Sequence, residues 1–128
     1  MRLLLDTQIV LWQLSGAREL APEATDAIRA AEELRFSVVS FAEVGIKAAV
    51  GKLRVPDRFH ERVLEAGAQT LGLAPEHGLR IADLPLHHRD PFDRLLIAQA
   101  LCDGLTILTS DLRFADYGVP LVAATPAR

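Results

Sequence analysis

Short runs of hydrophobic residues alternate along the chain with segments in which hydrophobic residues recur at helical spacing. Leu3 to Leu5 form an uninterrupted hydrophobic run, which is typical of a central strand covered on both faces. Pro22 to Leu34 instead place hydrophobic side chains three or four residues apart, as one face of a helix does. Together the two patterns predict strands at 3–5, 35–40, 70–74, 105–109 and 121–124, and helices at 7–14, 22–34, 41–53, 56–68, 75–83 and 93–103.

The alternation of short strands with helices indicates an α/β domain with a mainly parallel central sheet. The 128 residues contain no repeat, linker or low-complexity segment, so we predict a single domain over residues 1–128. No unbroken run reaches the ~18 apolar residues of a membrane span. The hydrophobic run after Met1 ends at Asp6, which leaves no room for a signal peptide. We therefore predict a cytoplasmic protein.

Net charge limits how this chain can act on nucleic acid. The formal charge is −3 at pH 7, whereas binding to nucleic acid over a broad surface normally requires a basic face. Any nucleic-acid chemistry therefore has to be arranged locally, for instance by bound cations. The single cysteine, Cys102, cannot form an internal disulfide.

Two of the predicted strands end at an aspartate. Asp6 follows the first strand, and Asp111 follows the strand that ends at Thr109. Ligands of open parallel sheets bind outside the carboxyl ends of the strands, so both acids are candidates for a binding site. Each acid is equally suited to capping the helix that follows it, because Asp is a favoured N-cap residue.

Three further acids stand near the starts of predicted helices. Glu43 comes three residues after Ser40, in the spacing of a capping box, and a residue in the first turn after a strand also points toward the sheet's carboxyl edge. Asp93 opens the helix at 93–103, and Asp90 precedes it in the proline-bounded segment "HRDPFDR". For these two acids, stabilisation of a helix N-terminus is a sufficient alternative explanation.

The acids are more informative as a group than singly. Four carboxylates directed at one crevice would repel one another by ~1 kcal/mol or more per close pair, so the fold tolerates them only with positive charge between them. Oxygen ligands without Cys or His suit a hard cation such as Mg²⁺ or Mn²⁺. Carboxylate-bound pairs of such ions support phosphodiester hydrolysis. The sequence therefore predicts a divalent metal site at the strand ends.

Four motifs resemble the PIN domain family, and within it the VapC-type ribonuclease toxins of bacterial toxin–antitoxin pairs. They are "LLLDT" at 3–7, "SFAEVGIKAAVGKL" at 40–53, "HRDPFDRLLIAQAL" at 88–101 and "ILTSDLRF" at 107–114. The third motif is long and specific, and together the four span nearly the whole chain.

The resemblance implies a PIN-like, Rossmann-like three-layer fold and a metal-dependent endoribonuclease. Carried over position by position, the family's acidic quartet falls on Asp6, Glu43, Asp93 and Asp111, which would act as catalytic residues and as ligands of Mg²⁺ or Mn²⁺. Whether Asp90 is a further ligand or a loop-fixing residue stays open. The resemblance also implies an RNA substrate, a homodimer, and a cognate VapB-type antitoxin whose C-terminal segment covers the active-site groove.

Several other polar residues near the acids have weaker claims to a function. Lys47 lies one helical turn after Glu43, so an ion pair within the helix is at least as well supported as phosphate binding. Three arginines are suited to offsetting backbone phosphates or simply to being solvated at the surface: Arg89, Arg94 and Arg113.

The adjacent histidines His87 and His88 do not show the spacing of a structural zinc site, and we expect them to be exposed loop residues. Thr7 and Ser110 flank the acids and are suited to holding a metal-bound water or a phosphate oxygen. Ordinary helix-start hydroxyls would occupy the same positions.

Two other functions compete with the nuclease. A haloacid-dehalogenase-type phosphatase also begins with a strand ending in Asp, but that chemistry needs a second Asp two residues later, where this chain has Gln8. The other alternative is a PIN-like module that only binds RNA or a protein. Acids at all four motif positions count against it.

Overall fold

The computed structural model describes residues 1–125. Its strands are β1 (Arg2–Leu5), β2 (Glu33–Ser37), β3 (Gln69–Leu71), β4 (Thr106–Thr109) and β5 (Leu121–Ala123). Its α-helices are α1 (Thr7–Ser15), α2 (Pro22–Ala30), α3 (Val38–Ala49), α4 (Phe59–Glu65), α5 (Pro75–Arg80) and α6 (Pro91–Asp103). Two 3-10 helices lie at Ile81–Asp83 and Leu112–Tyr117. Within the described residues, no helix combines the length and the apolar composition that crossing a bilayer requires.

The five strands form one sheet in the order β3-β2-β1-β4-β5, and every pair is parallel. The strand order therefore reverses at β1, which has β2 on one side and β4 on the other. Leu5 at the end of β1 is paired with Leu108 near the end of β4. The crevice between these two carboxyl ends is where open parallel sheets place their ligands. The predicted parallel α/β fold is thus confirmed, with helices in a layer on each face.

Adjacent residues of the central strands feed two separate hydrophobic cores. Leu4 and Ile107 pack into one core with residues of α6 and of the second 3-10 helix. Leu5 and Leu108 pack into the other core with residues of α1, α2, α3 and α4. Successive side chains of a strand point to opposite faces, so short uninterrupted hydrophobic runs fill both layers at once.

The boundary between β2 and α3 differs from the sequence prediction. The stripe that predicted a helix to Leu34 ends at Ala30, because the following residues pair with β1, with Glu33 opposite Arg2. β2 then ends at Ser37, whose hydroxyl oxygen accepts a hydrogen bond of 3.0 Å from the Val39 amide. Ser37 is therefore the N-cap of α3, and the predicted strand end at 40 is wrong.

Three other elements also differ from the sequence prediction. The predicted helix at 56–68 begins only at Phe59, because Arg58 has a left-handed backbone with φ of 51°. No hydrophobic pattern predicted the 3-10 helix Leu112–Tyr117, which follows the aspartate after β4. The predicted helix at 75–83 is present as α5 followed directly by the first 3-10 helix.

A fully buried glutamine links three of these elements. Gln99 of α6 accepts a hydrogen bond of 2.7 Å from the Ser37 hydroxyl and donates one of 3.1 Å to the Gly72 carbonyl. The same side chain therefore contacts the N-cap of α3 and the loop after β3. Because a buried polar group without a partner costs free energy, this pair of bonds ties the start of α3 to α6.

We expect Gln99→Met to lower the free energy of unfolding by about 1–3 kcal/mol, because it leaves the Ser37 hydroxyl and the Gly72 carbonyl without their buried partner. Urea denaturation measures this change. Gln69→Met is the matched control, since Gln69 is exposed and should change stability little. Equal effects of the two substitutions would contradict a structural role for the buried amide.

Candidate metal centre at the strand ends

Asp6 lies directly beyond β1 at the point where the strand order reverses. Its carboxylate is buried, and its Oδ2 accepts a hydrogen bond of 2.7 Å from the Thr109 hydroxyl at the end of β4. Asp6 occupies the N-cap position of α1, yet its side chain makes no capping hydrogen bond in the described chain. Helix capping therefore does not explain this acid.

Asp111 reaches the same crevice from β4, two residues beyond Thr109. Here the capping interpretation is correct, since its Oδ1 accepts a hydrogen bond of 3.0 Å from the Arg113 amide. The Arg113 guanidinium also contacts both carboxylate oxygens, at 3.0 and 2.7 Å. This pairing is the main reason that the pKa of Asp111 is lowered to about 2.

Glu43 enters the crevice from α3, in the second turn of the helix rather than the first. The predicted capping box with Ser40 is wrong, because the helix begins three residues earlier than the pattern implied. Ser40 is instead buried and accepts a hydrogen bond of 2.7 Å from the Thr7 hydroxyl. The buried Glu43 carboxylate is paired with Lys47 at 2.6 Å, which confirms the predicted ion pair one turn along α3.

The start of α6 contributes two acids with different surroundings. Asp90 is the N-cap: its Oδ1 accepts hydrogen bonds from the amides of Phe92 and Asp93, at 2.9 and 3.2 Å. Asp90 therefore fixes the loop at the start of α6. Asp93 lies in the first helical turn and accepts no amide hydrogen bond in the described chain.

All five acids line one polar cleft together with Lys47, Thr7, Ser110 and Gln8. Burial is the first cause that raises the pKa of Asp6 to about 6 and that of Asp93 to about 8. Repulsion by neighbouring carboxylates raises both further, most of all for Asp93. Lys47 and Arg113 pair with Glu43 and Asp111, whereas Asp6 and Asp93 have no lysine or arginine partner among the described residues.

The prediction that both loop histidines are exposed is wrong for His88. Its side chain is only 9% exposed, and its Nε2 lies 3.1 Å from Asp93 Oδ2 and 3.4 Å from Asp111 Oδ2. His88, Asp93 and Asp111 each offer a ligand atom within 4.8 Å of one another. His87 is exposed as predicted. Adjacent residues of an irregular loop diverge in burial, and no periodicity in the sequence signals which one turns inward.

Arg94 is likewise buried, so neither phosphate binding nor surface solvation accounts for it. Its guanidinium donates to the carbonyls of Ile81, Leu84, Pro85 and His88 and to the Tyr117 hydroxyl, over 2.8–3.4 Å. The planar fork of an arginine is suited to this many acceptors at once. Arg94 therefore fastens the segment before α6 to the helix that carries Asp93.

The chain thus has a Rossmann-like parallel α/β fold with a cluster of carboxylates at its strand ends, which defines the class of PIN-like proteins. A family model described as the PIN domain matches residues 3–120. The chain belongs to the PIN domain family.

Similar proteins support the same assignment. The chain is 28% identical over 120 residues to ribonuclease VapC22 of Mycobacterium tuberculosis, covering 91% of this chain and 92% of that protein. The crystal structure of VapBC2 from Rickettsia felis, bound to a DNA fragment from their promoter, contains a chain with a TM-score of 0.71 at 12% identity; the match covers 97% of this chain and 99% of that one. A chain of FitAcB from Neisseria gonorrhoeae has a TM-score of 0.63 at 22% identity, covering 93% and 95%. At such identities the structural matches establish the fold.

The pKa shifts predict how stability depends on pH in the metal-free protein. The unfolded chain releases the Asp6 and Asp93 protons near pH 4. The folded protein keeps them until about pH 6 and about pH 8. The folded state therefore binds more protons in this range, and stability should fall as pH rises from 5 to 8.5.

We expect Asp93→Asn to remove much of this decline and to melt several degrees above wild type at pH 8.5 with a chelator present. One kcal/mol corresponds to about 3–6 °C for a domain of this size. Mn²⁺ at a hundredfold excess over its dissociation constant should stabilise the wild type by about 2.7 kcal/mol and the variant much less. Thermal melts test both points, with the exposed Asp26→Asn as control. A destabilised Asp93→Asn together with a wild type whose melting temperature does not change with Mn²⁺ would contradict a metal site at these acids.

Proposed function

We propose that this protein is a metal-dependent endoribonuclease that acts as the toxin of a type II toxin–antitoxin pair. The observation that carries the proposal is the convergence of four carboxylates, Asp6, Glu43, Asp93 and Asp111, on one cleft at the sheet's switch point. The similarity to a protein named as a VapC ribonuclease supports the same reaction class. Hydrolysis of RNA phosphodiester bonds is the chemistry that both point to.

The residues of the cleft fit a bound divalent cation. Asp6 and Asp93 are carboxylates with raised pKa values and no lysine or arginine partner among the described residues, so a cation between them would relieve their repulsion. Carboxylate oxygens favour Mg²⁺ or Mn²⁺. We assign Asp6, Glu43, Asp93 and Asp111 as ligands, with Asp90 at the edge of the set. A bound ion of this kind activates water and stabilises the departing oxygen in phosphodiester hydrolysis.

The remaining side chains of the cleft prepare it for an anionic substrate. The Thr109 hydroxyl orients the Asp6 carboxylate. The hydrogen bond from Thr7 to Ser40 links α1 to α3 beside this acid. Lys47 and Arg113 neutralise two of the acids and stand beside the cleft, where they lower the repulsion that an RNA backbone would meet.

Neither alternative function is favoured. A phosphatase of the haloacid-dehalogenase type would need an acid where Gln8 lines the cleft. A module that only binds RNA or a protein does not require buried, mutually repelling carboxylates. Such carboxylates destabilise the fold unless a cation is bound between them. We further propose that the chain is one PIN domain over residues 1–128, forms a homodimer and works in the cytoplasm.

We expect Asp6→Asn to abolish cleavage of RNA in the presence of Mg²⁺ or Mn²⁺ while the fold is kept, because Asn preserves the shape of the side chain and removes its charge. Gel analysis of RNA with purified protein, with and without a chelator, measures the loss. Asp26→Asn, on the exposed side of α2, should cleave like wild type. Comparable cleavage by Asp6→Asn and wild type would contradict the assignment of the metal ligands.

We also expect a VapB-type antitoxin, encoded beside this gene, to inhibit cleavage by inserting a basic side chain into the cleft. An arginine or lysine there would form charge-assisted hydrogen bonds with Asp6 and Asp93 in place of the cation. Titration of the antitoxin into the cleavage assay measures inhibition, and replacing its C-terminal basic residues with Gln should relieve it. A complex that forms and stays fully active would show that the partner does not cover this cleft.

A further inference from the structure

His88 is held between two of the proposed metal ligands although it belongs to an irregular loop. Its Nε2 faces Asp93 Oδ2 at 3.1 Å and Asp111 Oδ2 at 3.4 Å. Asp93 lies in the first turn of α6 and Asp111 lies two residues beyond β4, so these carboxylates belong to different elements of the fold. Among the described residues, the side chain that contacts both carboxylates is that of His88.

The other ring nitrogen indicates which hydrogen His88 presents to the acids. Its Nδ1 accepts a hydrogen bond of 3.4 Å from the Asp90 amide. In a neutral imidazole one nitrogen accepts and the other carries the proton, so Nε2 is the N–H donor. A histidine that binds a metal usually donates its remaining N–H to a carbonyl or carboxylate, and the Asp90 amide cannot accept such a bond.

The surrounding structure fixes the position of this imidazole. The His88 carbonyl accepts hydrogen bonds from both the Arg94 guanidinium and the Tyr117 hydroxyl, each at 3.4 Å. Its ring also lies edge-on to Phe114, with centroids 6.0 Å apart. Arg94 is buried and gives its hydrogen bonds to the segment before α6 and to Tyr117, so the loop is held from several sides.

We infer that His88 is a positioning residue of the metal site: its Nε2–H, hydrogen-bonded to Asp111 and 3.1 Å from Asp93 Oδ2, bridges these two carboxylates and sets their separation without itself binding the metal. The inference rests on the proposed function, because it assigns the two acids as ligands. By this bridge, the loop before α6 sets the spacing between Asp93 of α6 and Asp111, which follows β4. Mutation of a residue that orients a metal ligand typically lowers metal affinity by about 10- to 100-fold.

Two conservative substitutions separate the bridge from the loop contact. A glutamine places its amide N–H near the position of Nε2, so His88→Gln keeps a donor toward Asp93 and Asp111. An asparagine places its amide near Nδ1, so His88→Asn keeps a partner for the Asp90 amide and loses the bridge. His88→Ala removes both contacts, and His87→Ala is the control at the exposed neighbouring histidine.

The experiment is calorimetric titration of Mn²⁺ into the full-length metal-free proteins, with thermal melts to confirm folding. We expect the dissociation constant to rise about 10-fold or more in His88→Ala and His88→Asn. We expect it to stay within about threefold of wild type in His88→Gln and His87→Ala. Pulsed electron paramagnetic resonance of bound Mn²⁺ should show no ¹⁴N coupling from a directly bound imidazole in wild type.

Several outcomes would overturn the inference. Wild-type affinity in both His88→Asn and His88→Ala would show that the bridge does not act on the site. If His88→Ala fails to fold, the comparison of His88→Gln with His88→Asn decides the question, and equal affinities would contradict the bridge. Directly bound ¹⁴N in wild type would make His88 a ligand instead. A wild type that binds no Mn²⁺ would remove the proposed function and this inference with it, whereas the other results leave the proposed function standing.

Discussion

Repulsion among carboxylates at the adjoining ends of β1 and β4 is the constraint around which the cleft is arranged. The pairing of these strands brings Asp6 to within a hydrogen bond of Thr109, two residues before Asp111. Burial and like charge then raise the pKa values of Asp6 and Asp93. A fold can retain such an arrangement when partners and bound cations offset part of its electrostatic cost.

The acids of the cleft differ in how far neighbouring basic side chains compensate their charge. Arg113 and Lys47 pair with Asp111 and Glu43, whereas no lysine or arginine among the described residues pairs with Asp6 or Asp93. A metal entering the cleft would therefore gain most from those two carboxylates. The same asymmetry would give a basic side chain of a partner protein a defined place to bind, because Glu43 and Asp111 already have partners.

Buried polar side chains hold the elements that carry the acids in register. Gln99 joins α6 to the N-cap of α3, and through it the helix of Asp93 to the helix of Glu43. Arg94, next to Asp93 in the chain, fastens the preceding loop with its carbonyl contacts. Among the described residues, no buried side-chain nitrogen or oxygen lacks a hydrogen-bond partner. Such satisfied networks favour a single arrangement over competing ones.

The hydrophobic pattern by itself determined the class of the fold, because short uninterrupted runs such as Leu3 to Leu5 are compatible with strands buried on both faces. The sequence also placed Asp6 and Asp111 at strand ends, since that position depends only on local order along the chain. It placed Glu43 near the same edge, although the capping box used to argue this does not form.

Only the tertiary structure decided which strands are neighbours and which polar side chains are buried. The strand pairing ended the α2 pattern at Ala30 and moved β2 to begin at Glu33. His88 turned inward while His87 stayed exposed, and Arg94 became a buried donor to carbonyls. Each of these outcomes depends on contacts between segments distant in sequence, such as His88 with Asp111, and local periodicity carries no information about contacts of that kind.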